Sequence, residues 1–140
     1  MNREKCLGLL GFAGNYGELD RGTVVEALNF AICNYDIIDI SCNYGVHFNL
    51  MDTLIDLNPS ESKAKYIVKV GGNDTESYDV KELFSKTSKI LIELGQDKIE
   101  CILFHRPSFA KIQCDTEYFK LIKNFAPTVR FGLCSNSEVV

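Results

Sequence analysis

The sequence predicts an α/β fold: a parallel βα repeat forming one domain over residues 1–140. Three observations predict it. Short apolar runs alternate with longer amphipathic ones. Helix stop signals fall between them, at Asn58-Pro59, Gly95 and Pro127. The short runs also recur at a nearly constant step.

Five runs read as strands: Cys6–Phe12, Ile37–Ser41, Tyr66–Gly71, Cys101–His105 and Val129–Cys134. Each is too short for a helix, and all but the first contain Ile or Val. The segment after the first run carries Val24, Ala27, Leu28, Ala31 and Ile32 at helical spacing, with Asp20 or Thr23 as N-cap. Met51, Leu54 and Ile55 predict a shorter helix. Val80, Leu83, Phe84, Thr87, Leu91 and Leu94 predict a clear amphipathic helix that Gly95 is placed to end. Phe119, Ile122 and Phe125 predict a last helix after Asp115-Thr116.

The order β-α-β-α-β-α-β-α-β implies a parallel sheet with right-handed crossovers. An eight-unit barrel of ~250 residues spends about 31 residues per unit. The strand starts here, near 6, 37, 66, 101 and 129, keep close to that step. The whole chain therefore amounts to roughly four and a half units, the N-terminal portion of a TIM-type (β/α)8 barrel. A doubly wound open sheet would want a G-x-G-x-x-G turn after the first strand. Gly8, Gly11 and Gly14 instead spell G-x-x-G-x-x-G, and the first helix starts too late to sit on them.

Composition narrows the function. The chain has 46% hydrophobic and 24% charged residues, a formal net charge of −4 and 3 prolines. This is a globular profile, opposed to disorder, and the acidic balance opposes nucleic-acid binding. No window approaches the ~18–20 apolar residues of a membrane span. The N-terminus, Met1 to Lys5, carries an acid and is a poor signal peptide. The six cysteines form no C-x-x-C pair and several sit inside apolar runs, as expected of reduced thiols in the cytoplasm.

Ligands of α/β folds bind outside the carboxyl ends of the strands. Asp39, Lys69 and His105 interrupt apolar strands near that end, and Cys42, Asn43 and Tyr44 follow the second strand. A charge in a buried strand is costly unless paired. Together these residues spell a proton-donating site for a carbonyl. A tyrosine is a weak acid at neutral pH, and a lysine cation beside it favours the phenolate. An aspartate keeps such a lysine charged, and a histidine can hold the substrate oxygen. The bland alternative is a structural ion pair between Asp39 and Lys69, with His105 and Tyr44 serving as strand-end and loop packing. A metal site built from Cys42, His47, His105 and Cys134 matches no standard zinc spacing.

These residues stand in motifs that resemble the aldo-keto reductase superfamily, particularly its bacterial members. Lys5-Cys6-Leu7-Gly8-Leu9-Leu10-Gly11 resembles its first barrel strand. Ile38-Asp39-Ile40-Ser41-Cys42-Asn43-Tyr44-Gly45 resembles its "IDTA..YG" signature, and Tyr66-Ile67-Val68-Lys69-Val70-Gly71 its "TKVG" strand. Leu94-Gly95-Gln96-Asp97-Lys98-Ile99 is similar to its "LG.D.I" segment. Leu103-Phe104-His105-Arg106-Pro107 is similar to its "H.P" strand, and Val129-Arg130-Phe131-Gly132-Leu133 to its "RFGV" strand. The resemblance runs over residues 5–140.

The resemblance implies an oxidoreductase that reduces a small-molecule carbonyl to an alcohol with NADPH or NADH and without a metal. Tyr44 would donate the proton, Lys69 and Asp39 would tune it, and His105 would orient the carbonyl. Ser135 and Asn136 stand one position late for the pair that meets the nicotinamide carboxamide. Ile40 and Ser41 replace the usual Thr-Ala, and Cys134 stands where serine is usual. The sequence stops after the fifth strand, so the family's remaining cofactor-binding parts are expected to come from a homo-oligomer or a second chain. The alternative is a truncated, inactive reductase that serves as a binding or assembly module.

Overall fold

The protein is described here by a computed structural model covering residues 3–57, 62–71, 79–105 and 112–134. Five strands form one sheet: β1 (Cys6–Gly8), β2 (Ile37–Ser41), β3 (Lys65–Val70), β4 (Ile99–His105) and β5 (Arg130–Cys134). Four helices connect them: α1 (Arg21–Asn34), α2 (Leu50–Asp56), α3 (Val80–Leu94) and α4 (Ile112–Phe125). The strand order is β1-β2-β3-β4-β5, and every neighbouring pair is parallel. A doubly wound sheet reverses its order part-way. This one never does, so its turn is that of a barrel wall.

The helix boundaries follow from local chemistry. The Asp20 side chain accepts from the Thr23 N–H and caps α1. Asn49 does the same for α2 from Asp52, and Asp79 caps α3 by accepting from Lys81 and Glu82. These bonds satisfy donors that the first helical turn leaves open. Gly95, at φ +88, ends α3.

Several predicted boundaries differ: β3 sits one residue earlier, β4 starts two residues earlier, at Ile99, and β5 one residue later, and two differences are larger. The expected first strand, Cys6–Phe12, is extended only as far as Gly8, and Leu9–Phe12 forms a 3-10 turn. Leu9 is fully buried, so the apolar run records core contact rather than strand length. The last helix begins at Ile112, ahead of the expected Asp115-Thr116 start.

The pleat sends alternate side chains to opposite faces. Ile38 and Ile40 of β2, Tyr66, Val68 and Val70 of β3, and Ile102 of β4 are fully buried. They pack with Val24, Leu28 and Ala31 of α1, Ile90, Leu91 and Leu94 of α3, and Tyr118 and Ile122 of α4 in one core. Phe104 adds an edge-to-face contact with Tyr118 at 5.1 Å between ring centroids. Tyr118 donates to Thr87 Oγ1 at 2.7 Å, and Thr87 donates on to the Leu83 carbonyl, so this buried α3–α4 contact is satisfied.

The other face holds Ile37, Asp39, Ile67, Lys69, Cys101, Leu103 and His105, all only half-buried. One face of the wall is thus sealed by helices and the opposite face is open. At its N-terminal margin Glu100 joins Lys65, at 3.3 Å, and Arg130. Glu100 falls where the β3–β4 register shifts between Tyr66 and Ile67. Polar residues of the open face near the strand ends form the candidate site.

Candidate active site

Asp39 and Lys69 come from adjacent strands. The register pairs Asp39 with Ile67 and Ser41 with Lys69, so both charged side chains rise from the open face one pleat apart. Lys69 Nζ lies 2.7 Å from Asp39 Oδ1 and donates to Oδ2 at 2.9 Å. The side chains are 14% and 24% exposed. Burial works to push the Lys69 ammonium down. The hydrogen bond and charge of Asp39, then Tyr44, outweigh it and hold Lys69 above the ordinary lysine value.

Tyr44 lies beyond β2, in the turn toward α2. Lys69 Nζ donates to its hydroxyl at 3.5 Å, the outer limit of a hydrogen bond, and sits 5.9 Å from the ring centroid. The turn is set by several bonds. Tyr44 N–H donates to the Ser41 carbonyl at 3.2 Å, and Leu50 N–H to the Tyr44 carbonyl at 2.9 Å. Gly45 adopts φ +124, and a Cβ there would fall 1.8 Å from the Phe48 carbonyl oxygen. No side chain fits at that position.

His105 closes β4. Leu103 is the register partner of Lys69, and His105 lies two residues on, so it shares the face of Lys69 and Asp39 at the C-terminal end of the sheet. Its own register partner is Cys134 on β5. Of the residues singled out in the sequence, Asp39, Lys69 and Tyr44 are brought into contact, and His105 is brought to the same face. Ser135 and Asn136 lie outside the described residues.

Two further neighbours join them, Cys6, which the sequence reading did not place at the site, and Asn43, which it placed after the second strand without a partner. Cys6 of β1 faces the pair: burial, then the Asp39 charge, push its thiol up, against the opposing pull of Lys69. Asn43 donates from Nδ2 to the Gly71 carbonyl at 2.9 Å, across to the end of β3. No local pattern signals either contact, since each partner is distant in sequence.

The metal alternative loses its geometry. Among the described residues no three His, Cys, Asp or Glu side chains gather in a metal-binding group. Cys42 is on the opposite pleat from Asp39 and Ser41, and its thiol is near Lys86 of α3 and Asp52 of α2. Burial pushes it up to about 12. No helix among the described residues is long and apolar enough to cross a membrane.

No protein-family model and no curated protein matches the sequence. Solved structures do. Two structures from Pseudomonas aeruginosa, provisionally assigned as aldo-keto reductases, superpose with a TM-score of 0.60 each. They are 21% and 20% identical to this chain and match over 93% of it. The fold is that of part of a TIM-type barrel, as in those two structures. The chain spans only 53% and 54% of the length of those two structures. Five consecutive parallel strands, helices on one side and an open face on the other are what such a partial barrel requires.

Proposed function

We propose that the chain carries the proton-donating half of an NAD(P)H-dependent aldo-keto reductase, which reduces a small carbonyl compound to an alcohol in the cytoplasm. The observation that supports this best is the run of contacts from Asp39 through Lys69 to Tyr44 at the carboxyl ends of β2 and β3. In this reading the Tyr44 hydroxyl gives its proton to the carbonyl oxygen. The Lys69 ammonium stabilises the phenolate left behind, and Asp39 keeps Lys69 charged and fixed. His105 donates a hydrogen bond to the same oxygen and orients it.

NADPH or NADH would supply the hydride. The described residues fit the carbonyl end of a dinucleotide site and do not fit its phosphate end. A helix N-terminus is the usual seat for pyrophosphate. Here Asp20, Asn49 and Asp79 already fill the starts of α1, α2 and α3. Among the described residues, the starts of α1, α2 and α3 thus offer no open seat for the phosphates. A homo-oligomer or a second chain covering the open face would bring phosphate-binding groups, and would bury Ile37, Ile67 and Leu103.

The open face also favours a second reading, in which the chain assembles with a partner and turns nothing over. NADPH titration of the purified protein, followed by nicotinamide fluorescence, separates the two. Saturable micromolar binding is expected of the reductase. No binding at millimolar NADPH means that the chain alone is not a reductase, and leaves the assembly module or a reductase completed by a second chain.

A further inference from the structure

We propose that Asn43 is the positioning residue that holds Tyr44 within reach of Lys69, an inference that rests on the reductase reading above. Tyr44 is the one member of the contact run that no strand carries. Its backbone bonds, to Ser41 and from Leu50, tie it to its own connection. They do not tie it to β3, where Lys69 resides.

Two bonds make that crossing. Cys42 N–H donates to the Lys69 carbonyl at 3.0 Å, which extends the strand ladder by one step. Asn43 Nδ2 then donates to the Gly71 carbonyl at 2.9 Å. The two acceptors bracket the end of β3, and Tyr44 is the next residue in the turn. The backbone N–H of Asn43 also donates to Ser41 Oγ at 3.2 Å, which orients the residue toward β3.

The arrangement leaves little slack. The Lys69–Tyr44 contact is already at 3.5 Å, so a small outward drift of the turn breaks it. Asn43 itself is exposed. Water can satisfy its amide and the Gly71 carbonyl once the bond is lost, so removing it costs little stability. Its consequence falls on Tyr44 rather than on folding.

The test reads the Lys69 ammonium directly, without needing turnover. The signal is its side-chain nitrogen-15 resonance near pH 6, assigned through Lys69→Arg. Tyr44→Phe should shift that resonance. Asn43→Ala should shift it in the same direction by at least half as much, and the double variant no further than Tyr44→Phe alone. Asn43→Gln, which keeps an amide donor, should recover most of the wild-type position. The urea midpoint of all Asn43 variants should stay near wild type. If Tyr44→Phe moves the signal and Asn43→Ala does not, Asn43 has no positioning role and the reductase reading stands. If Tyr44→Phe itself leaves the signal unmoved, the Tyr44–Lys69 contact is absent, and both the proposal and the reductase reading fall.

Discussion

Lys69 and Asp39 stand on neighbouring parallel strands with Nζ 2.7 Å from one carboxylate oxygen and 2.9 Å from the other. The pair occupies the open face of the sheet, where every other described inward side chain of β2 and β3 except Lys65 is apolar or a serine. Lys65 lies at the opposite end of β3, paired with Glu100.

Asp39→Asn tests what the pair contributes. Removing one partner of this partly exposed pair leaves the other unsatisfied, and the expected loss is about 1–3 kcal/mol at pH 7. The pH dependence has a definite sign. Lys69 is held above its unfolded value, so its contribution is full below about 10.4 and lost as pH rises through the higher folded value. Urea unfolding at several alkaline pH values should show that component in wild type and a smaller one in Asp39→Asn.

Gly45→Ala tests the turn that presents Tyr44. At φ +124 a Cβ meets the Phe48 carbonyl, which is rigid backbone, so the connection must rearrange. The expected cost is at least about 2 kcal/mol. Denaturant unfolding reports it, and a midpoint equal to wild type would mean the turn differs from that described.

Buried thiol and phenol groups set an alkaline limit. Burial pushes the Cys42 thiol up to about 12. Burial likewise takes the Tyr66 phenol up to about 12. Both stay protonated in the folded chain after the unfolded chain has begun to ionise, near 8.5 for the thiol and 10 for the phenol. Their stabilisation is complete below those values and declines toward pH 12. Cys42→Ala should flatten the earlier part of that decline. At pH 8 a thiol reagent should modify the exposed Cys6 and Cys33 well before Cys42.

Much of this was legible because the repeat is regular. β2 runs over Ile37–Ser41 as read, since its two buried isoleucines alternate with half-buried positions and strand pairing fixes both ends. Asp20 and Gly95 mark helix ends through their own chemistry. What escaped the sequence was set by tertiary contact. Leu9 joins the core from a 3-10 turn, so an apolar run looked like strand. Ile99 and Glu100 belong to β4, but a register shift and charged neighbours disguise them. The Asp39–Lys69 pair was foreseeable as two charges in adjacent strands. The bond from Asn43 to Gly71 spans 28 residues and is visible only in three dimensions.

The most direct measurement of the central claim is NADPH oxidation with a panel of aldehydes and ketones, comparing wild type with Tyr44→Phe. The variant keeps the ring and loses the proton. Proton transfer from a positioned side chain contributes roughly 10²–10⁴-fold, so turnover should fall by about that factor while NADPH affinity is preserved. Equal turnover by wild type and Tyr44→Phe would contradict the proton-donating role and the account built on it.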